Sequence, residues 1–431
     1  MRKRRETEAL PRLQKRVEDA LEKSHVVTLV GASCLGKADL ARQVLSRTGR
    51  EFAEHVLDVR SAIECEAEML LLRTSLSSAE SHEALARWLS GNEERRAVVC
   101  ARSPLYMPEE QVIAVKPIPV GAADFDKGAL ENEASRMLYD EALRLRDDAE
   151  PSLHSLVALA KAVDGIPGLL MSIARSAATF GHDEVLRRIR DDLRFLDVDG
   201  ALNARLLVEW NRLEAEEQRV FAAASVFRGG FTFECAKAVL GVEAMTHLAR
   251  LSEFSLLDFD QKSARFVVLR HHREFATAHA AEEAVRRHGA YFAAEATRHV
   301  AAYQRGEGPS LAWLLAEREN LEAVARRGGD DSPMAVWAVV IAASFGGCMP
   351  DAIDLFDSVA NANTEAMPVG AWLSYAEGLQ TLGRFDLAQA ALDRSEDNVA
   401  RALVAARIAH GRGRGVEAVV AAQDALHRAE G

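Results

Sequence analysis

At 431 residues the chain exceeds one ordinary hydrophobic core and points to about three domains. Hydrophobic residues make up 48% and charged residues 27%, which excludes global disorder, and the low aromatic share of 6% beside abundant Ala, Leu, Arg and Glu favours helices. A net charge of −12 argues against a broad nucleic-acid footprint, which needs a positive surface. The basic run from Arg2 to Arg5 reads as a solvated terminus. No apolar run approaches the roughly 18 residues of a membrane span, and the N-terminus lacks a charged-then-apolar leader pattern, so a cytoplasmic chain is the expectation. Cys34, Cys65, Cys100, Cys235 and Cys348 are scattered without CxxC spacing and suggest neither a disulfide framework nor a zinc site.

An amphipathic stretch over residues 10–21 leads into the β-branched run 25–30, then Gly31, then a helical pattern over 37–45: strand, loop, helix. Further strands are predicted at 55–59, 97–100 and 112–115, with a helix at 80–89 between them, the alternation of an α/β sheet. Residues 69–72, Met-Leu-Leu-Leu, fit either a strand ending in Arg73 and Thr74 or a piece of helix. From residue 131 long helical patterns take over, at 131–147 and 152–163, with a break at Gly165-Ile-Pro167-Gly168 and a helix onward to 178. Residues 205–226 are again helical. They run into Phe227-Arg-Gly-Gly-Phe231, helices to about 254, and two strand-like runs at 256–260 and 264–269, the outline of a winged helix.

After Glu274 every pattern is helical, interrupted near 306–309, 328–332, 346–350 and 411–415. Gly383 and Gly413, like Ala388 and Ala418, fall 30 residues apart, slightly short of the tetratricopeptide period of about 34. Degenerate helical-hairpin repeats are expected.

The strongest chemical signal is Gly31-Ala-Ser-Cys-Leu-Gly36-Lys37-Ala38, which matches the phosphate-loop pattern G-x-x-x-x-G-K after a strand and before a helix. Glycines let backbone N–H groups turn toward a phosphate, the helix N-terminus adds its dipole, and Lys37 reaches the terminal phosphates. Ala38 stands where a hydroxyl would ligate Mg²⁺, and a methyl cannot do so. A strand-end carboxylate to hold the metal through water is not found: Arg73 and Thr74 follow the run 69–72, and Asp58 lies on an earlier strand where it reads as a solvated or capping residue. ATP or ADP is therefore compatible with the loop, and Mg²⁺ is doubtful.

In their order these pieces resemble the bacterial predicted ATPases of the STAND superfamily, relatives of NB-ARC proteins, over almost the whole chain. Ala101-Arg-Ser-Pro-Leu105 is similar to the family's sensor strand, which implies that Arg102 contacts the terminal phosphate. Ala162-Val-Asp-Gly-Ile-Pro-Gly-Leu169 resembles the G-L-P-L element, which implies Pro167 against the adenine, with Gly168 in place of the usual Leu. Leu207-Val-Glu-Trp210 and residues 213–231 resemble the opening of the winged helix, with Trp210 and Phe221 in its core. Residues 268–276 resemble its close, where His271 or His272 reads as a surface or packing residue although related proteins sense phosphate with a histidine. Glu317-Arg-Glu-Asn-Leu-Glu-Ala323 resembles the E-x-x-N-L-x-A element that opens the tail.

The resemblance implies a multidomain α/β plus all-α chain: a P-loop α/β domain over 1–120, a helical lid over 121–200, a winged helix over 201–275 and a tetratricopeptide-like repeat region over 276–431. The implied function is a signal-transduction regulator, a nucleotide-binding or pseudo-ATPase scaffold whose repeats engage a protein partner, with room for self-association. The alternatives are an active ATP-hydrolysing switch and a winged-helix DNA-binding regulator. No catalytic residue is assigned; Gly31, Gly36, Lys37, Ala38, Arg102 and Pro167 are the candidate cofactor-binding residues.

Overall fold

The computed structural model describes residues 9–56, 66–73, 79–120, 130, 132–146, 150–197 and 201–430. Asp58 and Cys65 lie outside them. The chain divides into two compact units, and no helix among the described residues is long and apolar enough to cross a membrane.

The first unit comprises Met1–Ala222, Met245–Phe259 and Val268–His279. It opens with α1 (Ala9–Lys23), β1 (Val26–Val30) and α2 (Lys37–Arg47), then β2 (Phe52–Val56), β3 (Met69–Arg73), α3 (Ala79–Ser90), β4 (Arg96–Ala101) and β5 (Glu110–Ala114). The five strands form one sheet in the order β2-β3-β4-β1-β5, and every neighbouring pair is parallel. Residues 69–72, open to two readings in the sequence, are thus a strand. Its run of four apolar side chains is explained by burial on both faces, as parallel sheets require: Met69 and Leu71 enter one core with Val27, Leu29 and Val98, whereas Leu70 and Leu72 enter another with Trp88, Ala97 and Val99. Of the strand read at 55–59, residues 57–59 lie outside the described residues; β2 covers Phe52–Val56, where Phe52 packs against the first of these cores.

Helices α4 (Glu133–Leu145), α5 (Leu153–Ala162), α6 (Pro167–Phe180) and α7 (His182–Asp191) follow. Asn132 caps α4 by accepting from the amides of Ala134 and Ser135, and Ser152 caps α5 through the Ser155 amide. Pro167 occupies the first turn of α6, where its missing N–H costs nothing. The helical pattern at 205–226 is two helices, α8 (Ala201–Trp210) and α9 (Ala215–Ala224). They part because the Glu217 side chain accepts the Glu214 amide at 2.9 Å and the Gln218 side chain donates to the Trp210 carbonyl at 2.9 Å, satisfying groups a continuous helix would have paired. Phe221 is buried and Trp210 half-buried, their rings 6.3 Å apart.

Then come α10 (Phe233–Leu240), α11 (Ala244–Glu253), the short strands β6 (Asp258–Asp260) and β7 (Arg265–Val267), and α12 (Arg270–Thr277). This stretch is shared between the units. In the first unit α12 is anchored by Arg270, which donates to the Ala162 carbonyl at 2.8 Å, the Ile189 carbonyl at 2.5 Å and Glu274 at 2.6 Å.

The second unit comprises Ala223–Ala244, Asp260–Val267 and Ala280–Gly431. Its helices are α13 (Glu282–Gln304), α14 (Gly308–Ala316), α15 (Arg318–Arg327), α16 (Ser332–Gly346), α17 (Met349–Ala362), α18 (Val369–Thr381), α19 (Phe385–Leu392), α20 (Val399–Gly411) and α21 (Gly415–Glu430). Each helix from α13 to α21 packs on its successor. Gly383 and Gly413 close the α18–α19 and α20–α21 turns at φ 73° and 74°, a left-handed conformation that favours glycine. The 30-residue spacing is thus the spacing of two equivalent hairpin turns. In the E-x-x-N element Asn320 donates to the Gly230 carbonyl at 3.0 Å and accepts the Arg228 amide at 2.7 Å, and Glu317 pairs with Arg265, Nη2 to Oε2 2.8 Å.

Candidate functional site

In an open parallel sheet, ligands gather at the carboxyl ends of the strands where the chain switches direction. Here that point is β1, flanked by β4 and β5, and the loop 31–36 leaves it there. Gly31 has φ 151°, and a Cβ on it would lie 2.4 Å from the Val115 carbonyl oxygen. Gly36 sits at the head of α2 at φ 74°. Both glycines are therefore demanded by backbone geometry. Cys34 adds a non-glycine positive φ of 65°, and its carbonyl accepts the Gly168 amide at 2.8 Å.

That last contact explains the departure at Gly168. A Cβ there would come 2.8 Å from the Cys34 oxygen and 3.0 Å from the Cys34 Cβ, so the loop and the first turn of α6 meet only without a side chain. Pro167, next to it, places its Cβ 3.8 Å from the position a Cβ on Gly36 would take. Gly165 in turn hydrogen-bonds Ile118 at 3.0 Å and stands at φ 63°, with no room for a Cβ against the Ile118 carbonyl. The Gly-Ile-Pro-Gly turn is thus fastened to the segment after β5 on one side and to the loop on the other.

Lys37 is half-buried and folds back on its own loop, donating to the Gly31 carbonyl and, at 2.7 Å, to that of Ala32. Desolvation, and then the nearby Arg102 charge, lowers its pKa to about 8. Arg102, one residue past β4, donates to Ser33 Oγ at 2.8 Å, and its backbone carbonyl accepts from Ser255 Oγ at 2.5 Å. Burial first, and then the Arg212 charge, lowers the Arg102 pKa to about 9, and the Glu209 carboxylate touches its guanidinium.

Glu209, on α8, was not singled out by sequence. Its carboxylate accepts from Ser33 Oγ at 2.9 Å, touches Arg102, and lies 3.5 Å from His272 Nε2. No spacing rule links positions 33, 102, 209 and 272; only the glutamate inside Leu207-Val-Glu-Trp210 offered a signal, an acidic residue among apolar ones. His271 and His272 are both buried. Burial, then Arg102, lowers His272 to about 3, so its approach to Glu209 is a contact of a neutral ring. His271 is lowered by burial and then by His272. Both rings are buried with ring nitrogens that find no hydrogen-bond partner among the described residues.

The donor set does not suit a divalent metal. Ala38 presents a methyl at the start of α2. At the end of β3, in register with Cys100 of β4, stands Arg73, a cation where strand-end metal sites carry an acid. Its guanidinium lies 3.4 Å from Glu54 of β2, which Arg42 of α2 also engages at 2.7 and 2.8 Å. Glu54, the nearby carboxylate, is thereby committed to two arginines, and its pKa is held down by the Arg42 hydrogen bond first. Among the described residues no group of three or more His, Cys, Asp and Glu side chains could hold a metal.

A cavity of about 620 Å³ lies elsewhere, in the second unit, lined by Arg228, Arg318, Glu319, Glu322 and Arg326 among others. Its mixed charges are partly paired internally, Arg318 to Glu322 at 2.8 Å. Gly229 of the Phe227–Phe231 turn lines it, but its charges are of both signs and do not converge as one, and the loop after β1 remains the better candidate.

The fold of the first unit is a parallel α/β sheet with a phosphate-loop-like turn at its switch point. No family model matches the sequence, and no curated protein matches it. Among solved structures the chain is similar to a Walker-type ATPase of Pyrococcus abyssi, at 13% identity and TM-score 0.43, over 62% of this chain and 94% of that one. It is also similar to a Signal Transduction ATPase with Numerous Domains (STAND) protein with a tetratricopeptide repeat sensor from Pyrococcus horikoshii, at 13% identity and TM-score 0.29, over 97% of this chain and 76% of that one. Likeness at this level says nothing of activity.

Proposed function

We propose that this chain is a STAND-like signal-transduction regulator whose phosphate loop binds ATP or ADP without metal-assisted hydrolysis and whose helical repeats engage a protein partner. The observation that carries the reading is the pairing of an intact loop with an incompatible metal position. Gly31, Gly36 and Lys37 keep the backbone and charge that cradle phosphates, whereas Ala38 and Arg73 replace the hydroxyl and the acid. In this reading Arg102 meets the terminal phosphate, and Pro167, beside Gly36, borders the base. A bound nucleotide supplies differential affinity between arrangements of the chain, and hydrolysis is not needed for that.

The P-loop, lid, winged-helix and repeat divisions at 120, 200 and 275 belong to the same proposal. For the partner, Val416, Val419, Val420 and Leu426 are exposed on one helix, α21, at spacings that share a face.

Calorimetry with ATP and ADP, with and without Mg²⁺, on wild type and Lys37→Ala tests the nucleotide half. Mg²⁺-independent binding lost in the variant is expected. No heat at millimolar nucleotide refutes it, and steady turnover abolished by Lys37→Ala replaces it with a working ATPase.

A further inference from the structure

We propose that Glu209 is a resident anion in the seat of a nucleotide's terminal phosphate, so that the site takes a nucleoside diphosphate in preference to the triphosphate. This rests on the nucleotide-binding reading above and specifies its ligand.

The groups that hold Glu209 are those a terminal phosphate needs. Ser33, the third residue of the loop, donates its hydroxyl to Oε1 at 2.9 Å. Arg102, the cation at the end of β4, contacts the same carboxylate oxygen and also donates to Ser33 at 2.8 Å. His272, a neutral ring, lies 3.5 Å from Oε2 and makes no hydrogen bond to it, so Ser33 and Arg102 are the groups that hold the carboxylate. The carboxylate is almost fully buried, 5% exposed at the side chain, so its charge is poorly screened and a second anion beside it meets strong repulsion.

These partners lie on the Ser33 and Arg102 side. The amides at the start of α2, where the dipole favours the preceding phosphate, are not among them. A diphosphate therefore reaches the head of α2 without contesting Arg102. A triphosphate brings its last phosphate to Ser33 and Arg102 and has to displace Glu209, which then loses its ion pair with Arg102.

The position of α8 makes this contact a property of the fold. Trp210, next in the chain, packs at 6.0 Å against Phe275 and stacks at 4.5 Å on His279, and α12, which carries Phe275, is pinned by Arg270 to the carbonyls of Ala162 and Ile189. Glu209 is held toward the loop through this packing of Trp210 on Phe275 and His279.

The test is calorimetric titration of the full chain with ADP and with ATP in EDTA, for wild type, Glu209→Gln and Glu209→Asp. Wild type is expected to bind ADP at least about tenfold more tightly than ATP, the scale of one like-charge contact in a poorly solvated site. Glu209→Gln keeps the shape and removes the charge, so the ADP-to-ATP ratio falls to within about threefold. Glu209→Asp withdraws the charge and gives an intermediate ratio. Binding of both nucleotides with the wild-type ratio preserved in Glu209→Gln overturns the inference and leaves the nucleotide reading intact; so does equal affinity for the two in wild type. Absence of binding by either nucleotide in wild type and in both variants overturns the reading itself. ADP binding by each variant also reports that it has folded.

Discussion

Replacing Glu317 by Ala is expected to be among the most damaging single changes in the second unit. Its side chain is 2% exposed and meets Arg265, itself 12% exposed, through both carboxylate oxygens. It also accepts from Asn320 Nδ2 at 2.8 Å. Truncation leaves a guanidinium buried with one remaining acceptor, the Gly230 carbonyl at 2.8 Å, and breaking a buried ion pair from one side costs about 3–5 kcal/mol. The loss spreads, because Asn320 ties the Phe227–Phe231 turn to α15 through Gly230 and Arg228. For a unit of this size each kcal/mol moves the midpoint by about 2–4 °C, so a fall of roughly 6–20 °C is expected in the calorimetric transition of the second unit. Because a chain of several units need not unfold in one step, hydrogen exchange at α15 and α16 is the companion measurement. The double change Glu317→Leu with Arg265→Met, which removes both charges and keeps volume, is expected to recover most of the loss. A cost below about 1 kcal/mol for Glu317→Ala, or a double variant no better than the single, refutes the reasoning.

Gly168→Leu, which restores the residue usual in the G-L-P-L element, is expected to destabilise the first unit by about 1–3 kcal/mol, because its Cβ would sit 2.8 Å from the Cys34 oxygen; an unchanged melting temperature counts against the loop–α6 contact. Lys37 has its pKa lowered to about 8 by burial, so near pH 8 it is about half neutral, and phosphates beside it raise that pKa and favour the charged form. Nucleotide binding at pH 8 is therefore expected to take up about half a proton, more as pH rises toward 9 and almost none at pH 6, read from binding heats in buffers of different ionisation enthalpy; proton release would show the sign to be wrong. Ala38→Ser alone is expected to give no Mg²⁺-dependent ATP turnover, because Arg73 still presents a cation at the end of β3. Turnover in that single variant would show that an acid elsewhere completes the metal site.

Much of the first unit was legible in the sequence because its signals are local. A β-branched run, two glycines and a lysine at fixed spacing specify strand, turn and helix through φ/ψ and dipole alone, and β1, the loop and α2 lie where that pattern puts them. The two hairpin turns 30 residues apart were legible for the same reason, since Gly383 and Gly413 both take the left-handed conformation. The run Met69–Leu72 was ambiguous because a strand buried on both faces loses the alternation that marks strands, and its neighbours β2 and β4 decided it. Residues 205–226 looked like one helix because apolar periodicity carries across a break that side-chain hydrogen bonds from Glu217 and Gln218 impose.

By itself the sequence determined the loop chemistry: glycines at 31 and 36, a lysine at 37 and a methyl at 38 are covalent facts that no packing alters. Only the tertiary structure decided what surrounds that loop. It set Arg73 at the strand end in register with Cys100, Gly168 against Cys34, and Glu209 on Ser33 and Arg102 across 176 and 107 residues of chain. The physical reason is that charge interactions act through space and depend on distance and desolvation, neither of which a linear spacing records.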